Sequence, residues 1–217
     1  MVYVDSIGKT LEDYPRPSVA VDTAVLTVPP GGELSIVLVH GDQRKPRLPG
    51  TFLHPGERLR DAVLRSLHEK AGITGLSPRQ LQVLDEPRRD PRGWVLSIAH
   101  VDAVPASCLA ANDLLVIHPT ANCPSLEFDH DEIVALAVDH LQAQYRERPD
   151  PSGLLPEPFT MRTLHALHEA VAGTRLMRDT FRRTMLPYLE SSGEREVGTV
   201  GKPAALFVRS RGRSSAV

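Results

Sequence analysis

Cysteine is almost missing from this 217-residue chain: Cys108 and Cys123 are the only two, and they form no C-x-x-C pattern. That excludes a cysteine metal cluster and a disulfide framework. A bridge between the two is open to the chain but nothing needs it, and idle or buried thiols are expected. Long apolar runs are also lacking. None approaches the ~20 residues that cross a bilayer as a helix. The first residues, MVYVDSIGKTLEDYPRP, have no charged segment followed by an apolar one, so no secretory signal is expected. The chain is expected in the cytoplasm, with no membrane partner. Nine histidines form no H-E-x-x-H or comparable ligand spacing. Ser66 lacks a paired His/Asp context, which removes a serine nucleophile. Repeats and long low-complexity tracts are absent.

Charge is present and unevenly spread. Residues 1–150 hold 15 Lys+Arg against 21 Asp+Glu, and residues 151–217 hold 10 against 6. A basic C-terminal third on an acidic body suits a nucleic-acid-binding module joined to something else. A merely solvated basic face accounts for the charge equally well. Pro149-Asp150-Pro151-Ser152-Gly153 marks the boundary, because Pro, Gly and Ser cluster in exposed linkers. The expected domains are therefore 1–150 and 151–217.

The most informative stretch is Leu48 to Ile73, LPGTFLHPGERLRDAVLRSLHEKAGI. A Gly/Pro-rich loop leads into a helix predicted from about Arg58 to Ala71. Leu59, Ala62, Val63, Leu67 and Ala71 recur at helical spacing and Gly72 stops the helix. The stretch resembles the Nudix box, G-x5-E-x7-R-E-U-x-E-E-x-G-U with U aliphatic. Glu57, Arg65, Leu67, Glu69, Gly72 and Ile73 match without a gap. Thr51 stands for the opening Gly, Ser66 for the Glu after the Arg, and Lys70 for the second Glu of the pair. In Nudix hydrolases the glutamates matching Ser66, Glu69 and Lys70 hold Mg²⁺, a hard cation that needs oxygen ligands. The resemblance thus implies a Nudix α/β/α sandwich with a dismantled catalyst and no bound metal.

Around the box, Val19 to Val28 and Leu34 to His40 read as a hairpin about Pro29-Pro30-Gly31-Gly32. Residues 1–17 form an arm and Gly41 to Arg47 a basic loop. Gln80–Leu84, Trp94–Val104 and Leu114–Ile117 are predicted strands, with a charged turn at 86–93. A helix from His130 to about Arg146 is capped by Asp129, His130 or Asp131. Trp94 is expected in the core.

After the boundary, Thr160 caps a helix (MRTLHALHEAVAG) stopped by Gly173. His165 and His168 on it are expected at the surface. A second helix is predicted from Arg178 to Leu189, with Phe181, Met185 and Leu189 inward and Pro187 forcing an early end or a kink. Glu196 to Val208 reads as a hairpin with a Gly-Lys-Pro tip. Two helices and a hairpin make a winged helix-turn-helix. The candidate DNA-contacting residues are Thr160, Arg162, Arg178, Thr180, Arg182, Arg183 and Lys202, since arginines pair with guanine edges and phosphates.

A degenerate Nudix box, an FDHDEI helix start (Phe128 to Ile133), then PFT, F-R-R and G-K-P-A elements resemble the Nudix-related transcriptional regulators of NAD metabolism (NrtR-like) from about Val19 to Val208. The family has Arg where this chain has Lys202. The resemblance implies a homodimeric repressor that binds double-stranded operator DNA and senses ADP-ribose or a related nucleotide. No cofactor is required. Without metal, a diphosphate needs protein cations, and Arg44, Arg47, Arg65 and Lys70 are the candidates beside Glu69. Arg89 and Arg92 are weaker ones for the nucleotide's far end. Two alternatives remain: a working Nudix hydrolase with an accessory domain, and a nucleotide-binding protein whose C-terminal domain binds another protein.

Overall fold

Strand β1 (Ser18–Thr27) is buried along all but its first two residues, because a helix covers each face of the sheet it centres. Such a strand reads as a nearly continuous apolar run rather than a clean alternation. Side chains still point to opposite faces in turn. Val21 and Val25, with Val37 and Val39 of β2 (Ser35–His40), pack on Ala62, Val63, Leu67 and Ala71 of helix α1 (Leu59–Ala71). Ala24 and Leu26, with Ile36 and Leu38, pack instead on Ile133, Val134, Ala137 and Leu141, one face of helix α2 (His130–Glu147). This is an α/β/α sandwich. The computed structural model describes residues 3–40, 45–109, 113–196 and 203–210.

The sheet adds β3 (Pro46–Arg47), β4 (Gly50–Phe52), β5 (Arg79–Leu84), β6 (Val95–Ala103) and β7 (Leu115–Pro119). Its order is β3-β2-β1-β6-β5, with β4 paired to β1 and β7 to β2. Among the described residues only the β1–β6 pair of this sheet is parallel, Asp22 lying opposite Ala99. The expected hairpin and strands are present, and part of the expected loop at 48–51 is strand β4. Gly72 ends α1 at φ 63°, and its N–H reaches the carbonyls of the last turn, the left-handed close that glycine makes cheaply. Asp129 is the residue before α2, but its carboxylate caps nothing. Arg89 takes it instead.

Beyond residue 150 come β8 (Phe159–Thr160), α3 (Met161–Ala172), α4 (Arg178–Met185), β9 (Leu189–Arg195) and β10 (Ala205–Arg209), the strands in the order β8-β10-β9. Phe159, Leu164, Phe181, Met185 and Phe207 form their small core. Thr160 Oγ1 accepts from Thr163 N–H at 3.0 Å, and Gly173 closes α3 at φ 66°. Helix α3 also faces the first domain. Leu167 and Val171 join the core beneath α2, and Gln142 Nε2 donates to the Val171 carbonyl at 3.1 Å.

Four expectations are corrected. Helix α4 stops at Met185, not Leu189, because Pro187 has no N–H for the helix and its ring crowds the carbonyl four residues back; a 3₁₀ turn, Leu186–Tyr188, follows. The wing strand then begins at Leu189, seven residues ahead of the predicted hairpin, in a polar and largely exposed stretch with no apolar run to announce it. The expected wing tip lies outside the described residues. Trp94 is 49% exposed; it precedes β6, and its carbonyl accepts from Ser18 N–H at 3.0 Å.

His168 is the fourth. It is 2% exposed and lies on the same stripe of α3 as Leu164 and Val171. Burial pushes its pKa from 6.5 down to about 4. The folded state therefore holds the ring neutral where the unfolded chain protonates it. Stability from this group is complete above pH 6.5 and is lost as pH falls toward 4, a swing on the order of 3 kcal/mol. Urea unfolding followed between about pH 7 and pH 4.5 should show that loss, and a His168→Gln variant should show a shallower one.

Candidate functional site

Asp22 stands in the middle of β1, 6% exposed. A buried carboxylate has to be partnered. Ser97 Oγ on β6 donates to its Oδ2 at 2.5 Å. The Arg89 guanidinium lies 3.6 Å from the same oxygen, and His130 Nε2 lies 3.4 Å from Oδ1. The His130 Nδ1 accepts from Leu48 N–H at 3.0 Å, which leaves the ring proton on Nε2, facing Asp22. Burial raises the Asp22 pKa, but His130, Ser97 and Arg89 outweigh it and hold the carboxyl below its usual value. Three segments are thereby gathered at one point: the Nudix-type loop, the turn at 86–93 and the start of α2.

Gly50 lies directly on this cluster. A Cβ there would run into the Asp22 carboxylate, so the residue must be glycine whatever its φ. Lys70, near the end of α1, donates its ammonium to the Gly50 carbonyl. The family's glutamate position is thus occupied by a cation tied to the loop. Arg65 Nε and Nη2 hold both Glu57 oxygens at 2.8 and 2.9 Å, and the guanidinium also reaches Thr51 Oγ1 and the Phe52 carbonyl. The Arg65 side chain and the His54 N–H keep Glu57 ionised, its pKa lowered to about 2. Glu69 is a distant second partner at 3.8 Å.

The residues present do not fit a pair of divalent cations. Ser66 is 1% exposed, and its hydroxyl has no hydrogen-bond partner among the described residues. Lys70 brings a positive charge, and both Glu57 oxygens are engaged by Arg65. Among the described residues no group of three or more His, Cys, Asp or Glu could hold a metal. Cys108 and Cys123 are free thiols.

The expected ligand-holding residues therefore divide. Arg65 and Arg89 are each paired with carboxylates. Arg89 is buried and fixes the Asp129 carboxylate through two nitrogens, Nε at 2.7 Å. Arg47 lies 3.4 Å from Glu127. Arg92, half exposed, holds Asp90 and sits 5.2 Å from the Phe52 ring and 5.0 Å from the Phe128 ring. Glu69 is exposed beside Lys70. Arg44 lies outside the described residues. Sequence reasoning missed Asp22, Phe52, Phe128, Asp129 and His130. A lone Asp inside VAVDTAVLTV marked the first. Phe128 has φ 57°, a left-handed conformation that is costly for a bulky residue.

On the C-terminal domain, α4 turns Phe181 and Met185 inward and leaves Arg178, Thr180, Arg182 and Arg183 exposed. A hollow of about 400 Å³ between α3 and α4 brings together Arg162, Arg178 and Arg182. Arg162 is 83% exposed and only 4.0 Å from Glu196 at its closest. Thr160, among the expected DNA contacts, is 3% exposed, and its Oγ1 caps α3. Lys202 lies outside the described residues.

Two substitutions test this geometry. Gly50→Ala should lower stability by about 1–3 kcal/mol through overpacking against Asp22. Ser66→Ala removes an unsatisfied buried hydroxyl and should leave stability unchanged or raise it by up to about 1 kcal/mol. Urea denaturation midpoints measure both.

Residues 151–208 match the family described as the NrtR DNA-binding winged helix domain. Over 186 residues, 80% of this chain and 74% of the relative, the chain is 28% identical to the ADPR responsive transcriptional repressor NtrR of Acinetobacter baylyi. Over 90 residues, 40% of this chain and 53% of the relative, it is 36% identical to an ADP-ribose pyrophosphatase of Methanocaldococcus jannaschii. The crystal structure of Shewanella oneidensis NrtR complexed with a 27mer DNA superposes with TM-score 0.73 at 26% identity, covering 88% of this chain and 93% of that one. The chain carries an NrtR winged helix behind a Nudix domain, the architecture of the Nudix-related transcriptional regulators.

Proposed function

We propose that this chain is a repressor that grips operator DNA through α4 and the wing and lets go when ADP-ribose, or a close relative of it, binds beside the Nudix helix. One observation carries the reading. An NrtR winged helix with an exposed arginine face is joined to a Nudix site whose carboxylates have given way to a buried serine and a lysine. The likeness to an ADPR responsive repressor and to a DNA-bound NrtR supports both halves. The genes in question are those of NAD metabolism, as the resemblance implies. The protein acts as a homodimer in the cytoplasm, since two winged helices read two half-sites one or more helical turns apart.

In this reading the site binds and does not turn over. Lys70 supplies the positive charge that a metal supplies in a hydrolase. Arg47 and Arg92 stand at the edges of the same loop cluster, with Phe52 and Phe128 offering flat apolar faces to a nucleobase. Arg65 and Arg89 shape the loop and the start of α2. On the DNA side Arg162, Arg178, Arg182 and Arg183 hold phosphates or guanine edges, with Thr180 between them. Lys202 is assigned a phosphate contact. It is a point charge where the family's arginine is a fork.

The likeness to a pyrophosphatase keeps hydrolysis as the second reading. Incubation with ADP-ribose and Mg²⁺ or Mn²⁺ decides: the proposal expects no AMP released at an enzyme-like rate. Lys70→Ala should weaken ADP-ribose binding at least tenfold by calorimetry, and unchanged affinity contradicts the assigned role. Arg182→Ala and Arg183→Ala should weaken operator binding in gel shifts. Each lost phosphate contact should lower the slope of log affinity against log salt by about one. Wild-type affinity in both variants would remove α4 from the interface.

A further inference from the structure

Asp150 occupies the junction between the two domains. It is fully buried, at 0% exposure, and its φ is 44°, the left-handed region that Asp tolerates better than most residues. Its carboxylate takes four donors. Oδ1 accepts from the Tyr145 hydroxyl at 2.7 Å and from Leu154 N–H at 2.8 Å. Oδ2 accepts from Leu155 N–H at 2.8 Å and from the Arg209 guanidinium. The backbone is used as well. Asp150 N–H donates to His168 Nε2 at 3.1 Å, and its carbonyl accepts from Arg209 Nε at 3.1 Å. One residue thus ties the end of α2, the middle of α3 and the last residue of wing strand β10.

Arg209 is the other half of the joint. Besides Asp150 it donates to the Leu155 carbonyl at 2.7 Å and pairs with Glu157 at 2.9 Å, while its guanidinium lies 5.2 Å from the Phe159 ring. A planar fork of five donors suits such a point, and lysine could not reproduce it. From the joint an aromatic chain leads to the DNA-reading helix. Tyr145 meets His168 at 4.9 Å between ring centroids, and His168 meets Phe181 of α4 at 4.9 Å. The opposite end of α2 starts at Asp129 and His130, which belong to the Asp22 cluster. Eighteen helical residues separate the two ends, about 27 Å at 1.5 Å per residue.

We propose that Asp150 and Arg209 are positioning residues that fix the wing and α4 on the end of α2, so that nucleotide occupancy at the start of α2 reaches the DNA surface through this joint. This rests on the repressor reading above and adds to it the mechanical route. Neither residue needs to touch DNA or nucleotide. Their effect passes through α2, α3 and β10, which are packed elements with fixed contacts.

The test uses the full chain and the variants Arg209→Gln, Arg209→Lys and Asp150→Asn. Operator affinity is measured across a salt series, with and without saturating ADP-ribose, and ADP-ribose affinity is measured on the free protein. In the wild type the repressor reading expects a ratio of operator affinities, without and with ADP-ribose, in the range of about 5–150-fold. In the variants operator affinity should fall at least tenfold with an unchanged salt slope, since no phosphate contact is lost. ADP-ribose affinity should stay at the wild-type value and the ratio should fall toward one, with Lys no better than Gln. A wild-type ratio in all three variants overturns the proposal. A salt slope reduced by one in the Arg209 variants does so too, because Arg209 would then be a DNA contact. Hydrogen exchange gives a readout free of DNA. The Leu154 and Leu155 amides and α4 should lose protection in the variants while β1 and β6 keep theirs, and unaltered protection at Leu154 and Leu155 also overturns the joint. Failure of the wild type to bind DNA or respond to ADP-ribose counts instead against the repressor reading, and the exchange result still decides the joint.

Discussion

A carboxylate buried in the centre of a sheet sets the terms for everything around it. Asp22 cannot stay charged without partners, and its partners come from far along the chain: Ser97 from the parallel neighbour strand, Arg89 from a turn and His130 from the start of α2. Two of those residues hold a further group. Arg89 fixes Asp129, and His130 fixes Leu48 N–H. Gly50 is left with no room for a side chain, and Lys70 closes on its carbonyl. The Nudix loop therefore has one shape, fixed by hydrogen bonds that need no metal.

The same cluster explains how a nucleotide site and a DNA-reading surface can be parts of one device. Helix α2 begins at the cluster, and Tyr145 near its other end donates to Asp150. Helix α3 is shared: Leu164 serves the winged helix core, while Leu167 and Val171 serve the sandwich. A linker of Pro, Ser and Gly usually lets domains drift. Here Asp150 within it is buried, accepts from α2, β10 and the following loop, and donates to His168 of α3, so the boundary in the sequence is a joint in the structure.

Much of the architecture could be read from residues alone. Helix α1 was bounded by its apolar stripe and Gly72, helix α3 by Thr160 and Gly173, and the buried strands by their β-branched runs. These are local features, and local chemistry decides them. The wing strand was missed because it is polar and exposed, paired only along β10. His168 was assigned to the surface by its polarity, although its place on the stripe of Leu164 and Val171 put it inside. In the candidate site the residue types were legible and their duties were not. A sequence does not reveal that Glu57 pairs with Arg65, or that Asp129 and Asp22 pair with Arg89. Distances such as that between Asp22 and His130 belong to topology, which periodicity does not carry.

The central claim is that the nucleotide is read and not consumed. The direct measurement is fluorescence anisotropy of labelled operator DNA with the full chain in Mg²⁺ buffer, titrated with ADP-ribose, followed by chromatography of the same mixture. The account predicts that DNA is released as ADP-ribose rises and that the ADP-ribose is recovered intact. DNA that stays bound, or ADP-ribose recovered as AMP, would contradict it.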